Sequence, residues 1–523
     1  MELSDWSKER VTNMWALLVG ILLLLIFYLK IVKIYNYWHE REIPYVKPLH
    51  YVFGNLTPAL FRIKSFPKLI EDAYESFPNN RYVGFYQFTT PTLIIRDPEL
   101  IKDITIKDFD SFPNHRQFIP ASVDPLWGKN LFQMSTEDGW HGMRAILSPS
   151  FTGSKMKILF NLMEECAAQF MDYFKSYNGE VDVEIKDTFT RFANDIIGTC
   201  AFGIQCNSLK HRDNEFYMMG KEATDFSGFK SLKFFGYGFN STLIKFFNVK
   251  VFSKKVSTFF RSTIEDTIEL RRQKNVVRPD MIHLLLEAAK KMKNANTEEK
   301  RETFFNELSD EHIISSAINF LVAGFESVST ALSYLTYDLA VNPDVQKRLY
   351  DEINETLEPS QKTTYQSIMS MKYLDCVTSE SLRIHSPVVV MDRKCVKPYT
   401  IKPVSPTEKP LHVDPGTIIW VPITAFHKDE KYFPNPKKFD PERFSDENKP
   451  NINPFAYFPF GSGPRNCIGS RFALLEIKMI TVEILKNFEI ITNAQTEIPL
   501  KHSPIHFNGI PSTGIWVTFK PRI

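Results

Sequence analysis

Cysteine is scarce in this chain and unpatterned. Six occur among 523 residues, at positions 166, 200, 206, 376, 395 and 467, and no two form C-x-x-C. Such spacing gives neither a disulfide framework nor a zinc ribbon, and it suits a reducing compartment. A Walker loop and a G-x-S-x-G elbow are also missing. Gly236-Tyr237-Gly238 stops short of a dinucleotide fingerprint, which needs a third glycine and a preceding strand. No flavin or nicotinamide module is therefore visible. Neither sign of charge dominates: 63 Lys and Arg face 61 Asp and Glu, leaving +2. No global field recommends a nucleic-acid partner. Neither an internal repeat nor a long low-complexity linker divides the chain, although its length alone would suit two or three domains.

Charge is absent altogether from one stretch. Val11 to Leu29 is 19 residues without an ionised side chain, and twelve are Val, Leu, Ile or Phe. At about −0.5 kcal/mol for each of those, insertion into a bilayer gains roughly −6 kcal/mol before polar costs. The run is long enough to span a bilayer core. Lys30, Lys33, Arg41 and Lys47 follow it, against Lys8 and Arg10 before it, which places the bulk of the chain in the cytosol. No small-residue cleavage site follows, so the run reads as an anchor, not a removed leader. Pro44 and Pro48 stiffen a connector ending near Gly54. The resulting division is 1–33 anchor, 34–55 proline-containing linker and 56–523 catalytic domain.

The densest signal is Phe460-Gly461-Ser462-Gly463-Pro464-Arg465-Asn466-Cys467-Ile468-Gly469, followed directly by an apolar helical pattern from Arg471. A single thiolate offered to a haem iron needs this setting. Gly461 and Gly463 permit backbone conformations closed to other residues, and Pro464 stiffens the loop. Cys467 falls at or near a helix N-terminus, where free N–H groups and the dipole favour a thiolate. Such a ligand pushes electron density onto iron and favours O–O cleavage.

Other motifs stand upstream. Glu380-Ser381-Leu382-Arg383 lies in a helical pattern from Tyr373 to Ile384, and its i and i+3 carboxylate and guanidinium share one face. Pro441-Glu442-Arg443-Phe444 follows, and Trp140-His141-Gly142-Met143-Arg144 precedes. Ser309 caps a pattern that runs unbroken to Val341 and stops at Asn342-Pro343, roughly 50 Å of helix at 1.5 Å per residue. Its centre reads Ala323-Gly324-Phe325-Glu326-Ser327. Strand-like segments occur near 82–88, 92–96, 417–421 and 514–519. Lys290 to Arg301 reads as a solvated loop.

The 460–469 stretch resembles the haem-binding signature F-x-x-G-x-R-x-C-x-G of the cytochromes P-450, with no departure. The resemblance covers essentially the whole chain and implies a mainly α fold with small β-sheets and a long central helix over haem b. It implies Cys467 as the metal ligand and Trp140, Arg144, Arg393 and Arg465 as partners of the haem propionates, with His115 or Arg116 as a further contact. It implies a buried network of Glu380, Arg383 and Arg443, and Glu326 and Ser327 as the proton-delivering pair. Ser327 departs from the usual Thr, keeping the hydroxyl but losing the methyl that fixes its rotamer. Ala323 and Gly324 are expected to leave room for oxygen. Val322, Ala323, Val388 and Val389 are expected to line an apolar substrate pocket, with positioning by shape more than by polar recognition. Phe226, Phe229, Phe234, Phe235, Phe239, Phe246, Phe247 and Phe252 suggest a lipophilic entrance near the membrane.

Within the family the chain is similar to insect microsomal members related to mammalian drug- and steroid-oxidising enzymes. The implied activity is insertion of one oxygen atom from O2 into lipophilic small molecules: xenobiotics, insecticides, lipids or hormones. Electrons would come from NADPH through cytochrome P-450 reductase, with cytochrome b5 as a second candidate partner, at the cytosolic face of the endoplasmic reticulum membrane. Two alternatives stay open: a haem-thiolate isomerase or dehydratase that needs no reductase, and a non-catalytic hydrophobic-ligand binder.

Overall fold

Apolar side chains at three- and four-residue spacing turn most of the chain into helix. The computed structural model describes residues 2–117, 119–225, 245–246, 248–274, 277–294, 309–358, 362–506 and 509–522. The helices that position the site are α1 (Glu2–Tyr35), α2 (Trp140–Leu147), α3 (Gly153–Lys175), α4 (Ile185–Ile197), α5 (Glu215–Thr224), α6 (Asp310–Val341), α7 (Lys372–Ile384) and α8 (Ser470–Asn487). Among the described residues nine strands join them: β1 (Tyr82–Gln87), β2 (Thr90–Ile95), β3 (Val181–Glu184), β4 (Met391–Lys394), β5 (Tyr399–Ile401), β6 (Leu411–Val413), β7 (Ile418–Val421), β8 (Phe488–Ile491) and β9 (Trp516–Pro521). They form a four-stranded sheet in the order β1-β2-β7-β4, a three-stranded sheet β3-β9-β8 and the pair β5-β6.

Helix α6 is the axis of the molecule. From Val328 to Ala340 every residue is buried, Ser329, Thr330, Ser333, Thr336 and Asp338 included, so this half of the helix runs through the core. That burial explains why α6, though long and apolar enough to span a membrane, does not resemble α1, whose side chains from Met14 to Leu22 and Leu25 to Leu29 are mostly exposed. Toward its N-terminal half α6 opens: Val322, Ala323, Gly324, Glu326 and Ser327 are not buried. Helices α3, α4 and α8 pack with α6 in the main core, and a second apolar cluster lies against the four-stranded sheet.

The segment after α1 is pinned to that sheet. Tyr35 Oη donates to Phe88 O at 2.7 Å, Trp38 Nε1 to Phe85 O at 3.1 Å, and Val46 N to Gly84 O at 2.9 Å. A Cβ at Gly84 would meet Trp38 Cγ at 2.6 Å, so glycine there is the seat of the indole. The segment 34–55 thus lies against the body as a packed strap.

One loop expectation is corrected. A helix runs from Met281 to Asn294, so the charged stretch beginning at Lys290 starts inside it. Met281, Ile282, Leu285 and Ala289 are buried and set the apolar face, and lysine is a good helix former that prolongs the helix. Residues 295–301 lie outside the described residues, as do Phe226, Phe229, Phe234, Phe235, Phe239 and Phe247 of the aromatic stretch. Of the remaining two, Phe252 is buried and Phe246 is 82% exposed.

Candidate active site

A cavity of about 1600 Å³ lies between α6 and the loop preceding α8. Its lining includes Cys467, Phe460, Ile468 and Ala473 from the loop and α8, and Val322, Ala323, Glu326 and Ser327 from α6. Cys467 sits deep in the fold, and its exposed surface opens into this cavity. The other five cysteines are buried free thiols.

The loop is rigid for reasons local to it. Gly461 and Gly463 both have φ of +76°, where side-chain-bearing residues are strained. A Cβ on Gly463 would also come within 1.9 Å of the Thr105 carbonyl oxygen. The second glycine therefore serves close packing on residues 103–107. Thr105 Oγ1 donates to Ser462 Oγ at 3.2 Å, and Cys467 N to Phe460 O at 2.8 Å. Burial pushes the Cys467 thiol up, while the Gly469 N–H and the Arg144 guanidinium draw it back down. The favourable helix-end setting is present but outweighed by desolvation, so thiolate formation is left to a bound metal, which deprotonates a coordinating thiol.

Cations gather at the same end. Arg465 is buried; it donates to Pro113 O at 2.8 Å and Met134 O at 2.9 Å, and its guanidinium lies 4.0 Å from the centroid of the buried Trp140 ring. Arg144 donates to Asn466 O at 3.0 Å and Asn466 Oδ1 at 2.8 Å. His115 Nδ1 is 2.8 Å from Asp392 Oδ1, and His115 lines the cavity; Arg116 instead donates to Gln87 Oε1 at 2.8 Å. Arg393 is fully buried, does not line the cavity, and donates to Ser462 O at 3.1 Å, with its Nε lacking a partner. Burial lowers Arg465 to about 9 and Arg393 to about 10, and depresses Arg144 and His115 as well.

The carboxylate network is assembled. Glu380 and Arg383 are fully buried and meet in two bonds of 2.7 Å, and Arg443 Nε stands 3.4 Å from Glu380 Oε1. Across the cavity the α6 groups are less free than their pattern suggests. Ser327 Oγ donates back to Ala323 O at 2.6 Å. Glu326 Oε1 pairs with Lys186 Nζ at 3.0 Å, and that ammonium also donates to Ser329 Oγ at 2.6 Å. Lys186, on α4 and some 140 residues away in sequence, was invisible to motif reading. Gly324 is corrected too: a Cβ there would meet Ile197 Cδ1 at 2.7 Å, so it admits α4 against α6, and Ala323 alone of the pair lines the cavity.

Val389 is the remaining correction. Val388 and Val390 line the cavity, whereas Val389 is 4% exposed in a cluster with Phe85, Ile418 and Trp420. Burial alternates along the approach to β4, with Val388 exposed, Val389 buried and Val390 half-buried, as side chains on opposite faces would be. That alternation was the signal by which Val390 would have been found.

Comparison with known proteins decides what this arrangement is. The family model described as Cytochrome P450 matches residues 44–515. The chain is 43% identical over 510 residues to "Cytochrome P450 9e2" of Blattella germanica, covering 93% of this chain and 94% of that protein. It is 40% identical over 499 residues to "Probable cytochrome P450 9f2" of Drosophila melanogaster, covering 93% and 95%.

The chain belongs to the cytochrome P450 family.

A cytochrome P450 of this kind is a haem monooxygenase that uses haem b with thiolate ligation, O2, a lipophilic substrate and a redox partner. The residues present fit that group. Arg144, Arg465 and His115 line one end of the cavity, where burial depresses all three and the neighbouring guanidiniums of Arg393 and Arg144 depress Arg465 further. Two propionates are what such a cluster lacks.

Proposed function

We propose that this P450 oxidises lipophilic xenobiotics or endogenous lipids and hormones at the endoplasmic reticulum membrane, with electrons from NADPH through cytochrome P-450 reductase. Cys467 supplies the thiolate. Trp140, Arg144, Arg465 and His115, which line the cavity, hold the propionates, and Arg393, expected among them, instead braces the cysteine loop through Ser462 O. Glu380, Arg383 and Arg443 brace the fold behind them. The observation that carries this reading is the placement of Cys467 and of Ala323, Glu326 and Ser327 of α6 in the wall of one cavity. Bound haem supplies dioxygen activation; one oxygen atom enters the substrate and the other leaves as water, with two electrons and two protons consumed. The apolar wall at Val322, Ala323, Val388 and Val390 excludes water from the substrate. Glu326 and Ser327 hold and pass the protons, with Lys186 fixing the carboxylate between turnovers. Helix α1, exposed and apolar, anchors the chain to lipid, and cytochrome b5 is a candidate second donor.

The full chain, loaded with haem in lipid vesicles with the reductase, is expected to convert members of a panel of insecticides, steroids and fatty acids only when NADPH is added. Rearrangement of peroxides at equal rate without reductase would favour the isomerase alternative.

Glu326→Gln is expected to lower turnover by about 10²-fold, the usual size of a lost acid–base group. Its carbon monoxide difference spectrum should match the parent's. A turnover within a factor of two of the parent would remove Glu326 from the proton route.

A further inference from the structure

Helix α6 presents Asn319, Val322, Ala323, Glu326, Ser327 and Thr330 to the cavity. The Ser327 hydroxyl is committed to the Ala323 carbonyl and Glu326 to Lys186. Asn319 differs from these. It is a half-buried neutral amide in the cavity wall, and it makes no hydrogen bond among the described residues. It lies one helical turn before Ala323, about 6 Å along the axis. Trp127, Leu131 and Phe132 line the same cavity.

An amide placed there imposes a choice on whatever fills the space. With the cavity unfilled by ligand, the amide faces space large enough for water. A pure hydrocarbon expels that water and leaves two N–H donors and a carbonyl unpaired, a penalty that falls on the complex. A ligand with its own carbonyl, ester or hydroxyl in register replaces the water and avoids the penalty. Sites built this way reject the analogue that lacks the matching group more strongly than an apolar pocket rejects a missing methylene.

We propose that Asn319 determines specificity by selecting neutral lipophiles that carry a hydrogen-bonding oxygen about one helical turn from the carbon presented beside Ala323. The proposal deepens the monooxygenase reading and rests on it for which carbon is attacked. It also revises the expectation that positioning rests on shape more than on polar recognition.

The test uses the full chain, haem-loaded and in lipid, titrated with 4-phenylcyclohexanone and with phenylcyclohexane. The ligand-induced shift of the haem absorption band reads occupancy without turnover. In Asn319→Leu the ketone should bind about 3- to 10-fold more weakly, the worth of one hydrogen bond, while the hydrocarbon binds as well or better. Asn319→Ala should give the same order and guards against misfolding of the bulkier variant. Comparing the two ligands within each variant cancels their different partition from water. An equal change for both ligands, or an unchanged ketone, overturns the proposal and leaves the reaction class standing. Absence of a thiolate-type carbon monoxide band in the unmutated protein overturns the reaction class and the proposal with it.

Discussion

Cys467→Ser is expected to leave a folded chain that has lost its thiolate-type carbon monoxide difference band and its NADPH-dependent turnover. The reason lies in what does and does not hold the loop. Its shape comes from positive-φ glycines, from the contact of Gly463 with Thr105, and from Arg465 donating to carbonyls at 113 and 134. The Cys467 backbone N–H reaches Phe460 O at 2.8 Å. None of these uses sulfur, and a hydroxyl can still accept the Gly469 N–H that Sγ accepts. Serine therefore removes the soft, electron-donating ligand while keeping the scaffold, and unfolding of the apoprotein should shift by less than about 1 kcal/mol, as for a substitution that opens no cavity. Absorbance with carbon monoxide and thermal unfolding together separate the two effects. Retention of the band and of turnover would show that another group ligates the metal.

Motifs whose geometry is local were legible. Glu380 and Arg383 meet because i and i+3 share a helix face, and α6 begins after Ser309 and ends before Asn342-Pro343 as the pattern put it, although Ser309 Oγ meets His312 Nδ1 at 2.7 Å instead of capping a backbone N–H. The strands at 82–87, 90–95, 418–421 and 516–521 likewise track alternating or β-branched runs. What escaped was set by pairs distant in sequence. Gly324 reads as space over a metal until Ile197 of α4 arrives against it. Glu326 reads as a free acid until Lys186 pairs with it. Arg465 reads as a propionate ligand, yet most of its donors are spent on the backbone carbonyls that shape the loop's neighbours. Asn319 carried no motif at all; only a cavity wall gives an unpaired amide meaning.

Arg383→Met is expected to cost about 3–5 kcal/mol, the usual penalty for stranding a buried charge. Set against a total stability of about 5–15 kcal/mol, that loss would leave little holoprotein. Glu380 and Arg383 are both fully buried, and burial already raises Glu380 despite its partners. The guanidinium does more than neutralise. It donates to His427 O at 2.7 Å and Pro436 O at 2.8 Å, and Glu380 Oε1 accepts Asp440 N–H at 2.9 Å. Together these tie residues 427–440 to α7. The same helix receives Tyr457 Oη on Ser379 O at 2.9 Å, and His427 Nε2 accepts Phe458 N–H at 3.1 Å. Residues 457 and 458 lead directly into the cysteine loop. The network therefore acts at a distance on how Cys467 is aimed, and haem retention should fall together with stability. Arg443→Met should be milder, roughly 1 kcal/mol, because its contact with Glu380 is 3.4 Å long and at the network's edge. Arg383→Lys should rank between them, since an ammonium keeps the charge and loses the fork that reaches two carbonyls and a carboxylate at once. Denaturant unfolding and the rate of haem transfer to an acceptor apoprotein measure the order. An Arg383→Met variant as stable and haem-retentive as the parent would mean that the buried pair carries no share in holding the loop.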